Sequence, residues 1–172
     1  PYRAVPGNHD RSNLVDFTNY TTYVGPTAVW ESGSEVVTGY NGLTATTGWS
    51  GLDFIGLNNT NGGYNVVSAT DVALVDELAN QASLRYENIF VVAHHPHVYN
   101  LLIPLAQTLN NPDVVGYMHG HSGSTKAISG LSGIQNPNVW ELNSQSIQAK
   151  GAILYYEVYP SQIVVYPIQL AV

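Results

Sequence analysis

Residues 88–97 read Asn-Ile-Phe-Val-Val-Ala-His-His-Pro-His. The run 88–93 is almost continuously apolar and of strand length, the pattern of a strand buried on both faces rather than one with a wet side. Histidines begin where the strand stops. The same composition recurs at 114–121, where Val-Val-Gly-Tyr-Met is followed by His119-Gly120-His121. Two buried strands that each release histidine at the carboxyl end set the expectation of an α/β sheet with chemistry along one edge.

Before the first of these strands, the segment after Thr70 predicts a helix. Thr70 is a cap, Asp71 lies in the first turn, and Val72, Leu74, Val75, Leu78 and Ala79 form one apolar stripe. Residues 101–109 also read as helix, with Pro104 tolerated in the first turn. Upstream, 44–49 and 52–57 predict two strands joined by a turn at Ser50-Gly51, and 58–65 is a Gly/Asn-rich loop. Residues 10–42 read as irregular, with one short helix near 12–20. Downstream, 126–128, 139–142, 153–158 and 163–170 are strand-like, the last two joined by a turn at Pro160-Ser161. Strands interleaved with two helices and then a run of strands predict a mixed α/β fold with a second, mainly antiparallel sheet. No linker or repeat divides residues 1–172, so a single domain is expected.

Composition narrows the function. Charged residues are 10% of the chain, against roughly 25% in an average protein. With five Lys and Arg and a formal net charge of −7, the chain lacks the basic footprint that long nucleic acids require. An anionic substrate would have to be drawn by metal ions. There is no cysteine, which excludes disulfides and thiolate chemistry, and no apolar run reaches the roughly 18 residues of a membrane span. The lysine-poor, Asn/Thr/Tyr-rich composition, with Asn-x-Ser/Thr acceptors at Asn19 and Asn58, sets the expectation of a secreted or periplasmic protein.

All six histidines fall in three places: Pro6-Gly7-Asn8-His9-Asp10, His94-His95-Pro96-His97 and His119-Gly120-His121. Loops at the carboxyl ends of α/β strands converge on one crevice, and imidazole is the commonest ligand for borderline divalent metals. Each motif also has a plainer reading. A histidine after a strand can be a hydrogen-bonded loop residue, Gly-Asn-His-Asp can be a turn, and His-His-Pro can simply end a ladder. The concentration of all six in strand-end positions favours a metal site.

These three motifs, in this order, resemble the calcineurin-like metallophosphoesterases. That family runs Asp-x-His, Gly-Asp-x-x-Asp, Gly-Asn-His-Asp/Glu, a His after a strand, then Gly-His-x-His. The resemblance covers residues 6 to about 125. It implies an αββα sandwich of two packed mixed β-sheets flanked by helices, incomplete at its N-terminus, since neither carboxylate motif precedes Pro6. A segment of the same chain preceding Pro1 is therefore expected to supply them. Also implied are two divalent ions (Mn, Fe or Zn) that clamp a phosphate ester and activate water.

Carried over, Asn8 and His94 are ligands of the second metal, joined by His121 if Gly120-His121 is the family's Gly-His. His9 meets the phosphate and protonates the leaving oxygen, and Asp10 orients it. His95 and His97 are candidate substrate-binding groups. The third motif fits in two registers. If Gly120-His121 is the Gly-His, the family's last histidine is Gly123, His119 can compensate as a ligand, and Gly120 makes a tight turn. If His119 and His121 are the His-x-His pair, Met118 replaces the glycine.

The expected substrate is a small phosphomonoester or phosphodiester, a cyclic nucleotide included, with Tyr23, Trp30 and Tyr40 available to roof the site. The chain alone, without the carboxylate motifs, is expected to hydrolyse nothing efficiently. Two other readings stay open: a metal-binding pseudoenzyme on the same fold, and a β-rich interaction domain whose histidines are incidental.

Overall fold

The computed structural model of the chain describes residues 36–38, 52–57, 69–84, 88–96, 102–121, 125–144, 152–159 and 162–169. In chain order the elements are β1 (Val36–Thr38), β2 (Leu52–Leu57), α1 (Ala69–Ser83), β3 (Asn88–Val92), α2 (Leu102–Leu109), β4 (Val114–His119), β5 (Lys126–Ser129), β6 (Trp140–Asn143), β7 (Ala152–Tyr159) and β8 (Gln162–Gln169). The strand expected at 44–49, the helix near 12–20 and the loop at 58–65 lie outside the described residues. β1 falls within the span read as irregular. α1 starts one residue before Thr70, the residue expected to cap it.

Among the described residues the larger sheet has six strands in the order β1-β2-β3-β4-β6-β5. β2, β3, β4 and β6 run parallel, and β1 and β5 pair antiparallel at the two edges. The register builds two kinds of cross-strand row. Ile55, Val91, Tyr117 and Glu141 lie side by side in one; Phe54, Phe90, Gly116 and Trp140 form the next. Because successive side chains along a strand point to opposite faces, these rows serve two separate cores.

The first row faces the helices. α1 contributes Val75, Ala79 and Ala82, and α2 contributes Leu105 and Leu109, to a cluster with Ile55, Val91 and Tyr117. The connections β2-α1-β3 and β3-α2-β4 step across the sheet in the same direction, and right-handed crossovers then put both helices on one face. Asp76 ties the pair together, accepting hydrogen bonds from Thr108 Oγ1 (3.1 Å) and Gln107 Nε2 (2.9 Å). At the opposite end of β4 from the histidines, the buried Asn136 amide donates to the carbonyls of Leu109, Asn111 and Val114. That amide pins the end of α2 to the start of β4.

The second row faces the β7–β8 hairpin. Phe90 and Leu142 are buried there, with Phe54, Val115, Met118, Leu154, Tyr156 and Val165 packed against them. The layers are therefore helices, six-stranded sheet and two-stranded sheet. The expectation of two mixed sheets holds for the larger one. The smaller is purely antiparallel among the described residues, because two residues join β7 to β8 and a parallel crossover needs a dozen or more. Both described helices lie on the outer face of the larger sheet; a helical layer outside the hairpin is not among the described residues.

Candidate metal centre

The geometry starts from the ladder between β3 and β4, which continues beyond both strands. The Ala93 amide donates to the Met118 carbonyl at 2.9 Å, and the Gly120 amide to the His94 carbonyl at 3.0 Å. On the other side of β4, the Ser144 amide donates to the His119 carbonyl at 3.0 Å. The residues that leave β3, β4 and β6 thus stay in register for one more step, and that step brings His94 and His121 together. His94 Nε2 lies 3.1 Å from His121 Nδ1.

His95 joins them. Its ring centroid is 4.2 Å from that of His121 and 4.8 Å from that of His94, both edge-on. One ring nitrogen from each of the three lies within 4.8 Å of the others. The trio runs from a buried His95, 3% exposed, through a half-buried His94 to an exposed His121. Such a gradient anchors the cluster in the protein and opens it to solvent on one side. Tyr117, wholly buried, donates its hydroxyl to the His95 carbonyl at 2.7 Å and so fixes the main chain beneath the trio.

Burial lowers the His95 pKa to about 4, helped by the neighbouring His121, His94 and His119 rings. The ring is neutral at neutral pH and keeps a lone pair, the state a metal ligand needs. Two imidazole nitrogens on one tetrahedral zinc, each about 2.0–2.1 Å from it, sit roughly 3.3 Å apart. The observed 3.1 Å separation is close to that value. A donor set of three imidazoles suits zinc, copper, nickel, cobalt or iron better than magnesium or calcium, which take oxygen ligands. The residues present therefore fit an ion of the borderline class.

Three of the expected groups can be placed here. His121, not Gly120, adopts the left-handed backbone, with φ of 61°. Gly120 is not among the positive-φ residues, and a β-carbon placed on it would meet only ordinary contacts, 3.8 Å from the Ser144 carbonyl oxygen and 3.9 Å from that of His94. The turn is therefore made at His121. His95, a candidate substrate-binding group, lies within the trio itself. His119, expected to compensate as a ligand, sits elsewhere: its ring is buried, with Nδ1 2.9 Å from the Gly120 carbonyl oxygen and Nε2 2.9 Å from Glu141 Oε1.

Asn8, His9, Asp10, His97 and Gly123 lie outside the described residues. Glu141, which lies beside His119, and Lys126, which pairs with Glu141, were not among the expected site residues. A signal existed, since a glutamate inside the apolar strand 139–142 needs a partner once buried.

No model of a known protein family matches the chain, and no curated protein matches it.

Proposed function

We propose that this chain carries one half of a divalent-metal centre for hydrolysing phosphate esters, of the kind its motifs resemble in calcineurin-like metallophosphoesterases. The observation that carries the reading is the 3.1 Å approach of His94 and His121 at the carboxyl ends of adjacent parallel strands. Supporting it are a layered α/β fold with a second antiparallel sheet, and a donor set that leaves coordination positions open, as catalytic rather than structural sites do.

In this proposal His94 and His121 hold an ion together with Asn8, and His95 lies close enough to join them. The ions, when bound, supply Lewis acidity and lower the pKa of water at the phosphate. His9 donates a proton to the leaving oxygen, and Asp10 keeps its ring in orientation. Neither Asp-x-His nor Gly-Asp-x-x-Asp occurs in the 172 residues, so the proposal assigns the bridging carboxylate and the other ion's main ligands to sequence beyond them. The scarcity of Lys and Arg, five against twelve Asp and Glu, favours a small phosphodiester over a nucleic acid.

Hydrolysis of bis(p-nitrophenyl) phosphate by a chain extended with its native preceding sequence, in the presence of Mn²⁺ or Zn²⁺, tests the reading. Turnover that vanishes in His94→Ala supports it. Turnover unchanged by that substitution, or none with any divalent ion, sinks it. One observation favours a second reading, a metal-binding module without catalysis: among the described residues the trio contains no carboxylate to bridge two ions. A bound ion with no turnover in the extended chain would select it.

A further inference from the structure

The left-handed backbone of His121 calls for an explanation within the fold. A side chain other than glycine at φ of 61° carries a strain of order 1 kcal/mol, and it persists only where its surroundings over-determine it. The surroundings here are specific. The peptide that precedes the His121 α-carbon presents the Gly120 carbonyl oxygen, and His119 Nδ1 lies 2.9 Å from that oxygen. The other nitrogen of the same ring lies 2.9 Å from Glu141 Oε1. Lys126 on the edge strand β5 reaches the same carboxylate oxygen at 2.6 Å.

Tyr117, His119, Glu141 and Lys126 occupy one face of the sheet, because His119 pairs with Asn143, Tyr117 with Glu141, and Lys126 with Asn143 across the strands. The chain of contacts therefore runs sideways across three strands, β5 to β6 to β4, and ends on the peptide bond that aims His121. Burial on its own would raise the Glu141 carboxyl. The hydrogen bonds from Lys126 and His119 outweigh it and hold the group below the usual carboxylate range, as expected of a charged acceptor at the centre of the chain.

We propose that Lys126, Glu141 and His119 form a positioning relay that locks the Gly120–His121 peptide and thereby holds the His121 ring against His94 for metal binding. His119 is then a positioning residue and not a ligand. This rests on the reading of His94 and His121 as ligands. The main-chain bonds at Gly120 and Ser144 fix where the loop leaves the sheet, and the relay fixes how the next peptide is turned.

The test is Zn²⁺ affinity of the 172-residue chain by calorimetric titration, with melting temperature recorded for each variant. Glu141→Leu is expected to weaken Zn²⁺ binding about tenfold, the lower end of what removing a ligand's orienting partner does. Glu141→Gln, which restores an acceptor oxygen to His119, is expected to recover most of that loss at a melting temperature matching Glu141→Leu. A general packing defect would not produce that rescue.

Should Glu141→Leu fail to fold, Lys126→Met removes the relay's outer end at a partly exposed site and is expected to weaken binding in the same direction. Wild-type affinity in whichever of these variants folds overturns the relay while leaving the metal site standing, provided His94→Ala has lost binding. A wild-type chain that takes up no Zn²⁺ overturns both.

Discussion

Gly116 shows how one residue decides the fit of two layers. In β4 it stands beside Phe90, and a β-carbon there would come within 2.5 Å of Phe90 Cδ1 and 2.6 Å of Cε1. The Phe90 ring, stacked on Phe54 at 5.2 Å between centroids, occupies the space a side chain would fill. Gly116→Ala must displace a buried aromatic and is expected to destabilise the protein by about 1–3 kcal/mol, read as a lower guanidinium midpoint. Gly120 behaves oppositely. With no left-handed backbone and room for a β-carbon, Gly120→Ala is expected to leave both midpoint and metal affinity nearly unchanged, within about 0.5 kcal/mol. A loss as large as that of Gly116→Ala would mean the turn depends on glycine after all. The two glycines look alike in sequence, each flanked by apolar or histidine residues, and only the cross-strand neighbours separate them.

Elements were more legible than single residues, for a physical reason. β2, β3 and β4 are apolar runs bounded by turn residues, so burial is written into their composition, and β2 starts and ends at the residues expected. The hairpin was legible as well, because Pro160-Ser161 interrupts two strand-like segments rich in β-branched and aromatic residues. β1 was not, since three residues of β-branched character in a long irregular stretch carry too little pattern. Its place on the sheet comes from pairing with β2. The hairpin also carries a titration signature. Burial at its interface with the larger sheet pushes the Tyr156 pKa up to about 12. The folded state therefore keeps a proton that the unfolded chain loses near pH 10. Its contribution is complete below pH 10 and drains away as pH rises towards 12. Urea midpoints between pH 9 and 11.5 should fall more steeply for the wild type than for Tyr156→Phe. Parallel curves would mean that Tyr156 is wetter than its packing indicates.

At the scale of the whole molecule, the fold's contribution is a sheet edge where three strands end in step. His94 and His121, 27 positions apart in sequence, meet because β3 and β4 are parallel neighbours and their ladder runs on past both ends. That convergence could be anticipated from histidines placed after buried strands, without knowing that the strands were adjacent. The departures had no linear signature. His95 enters the trio because its ring turns inward and is buried, and His119 leaves it because Glu141, from a strand 22 residues later, lies beside its Nε2. No helix among the described residues is long and apolar enough to cross a membrane.

The proposal that His94, His95 and His121 hold one ion within this chain can be tested by its metal content. Elemental analysis after equilibration with micromolar Zn²⁺ and gel filtration measures it most directly. One ion per chain is expected in the wild type, and little or none in His94→Ala or His121→Ala with the fold intact by circular dichroism, since each substitution removes a third of the donor set. A wild-type chain that emerges free of metal, or a His94→Ala variant that retains its ion, would contradict it.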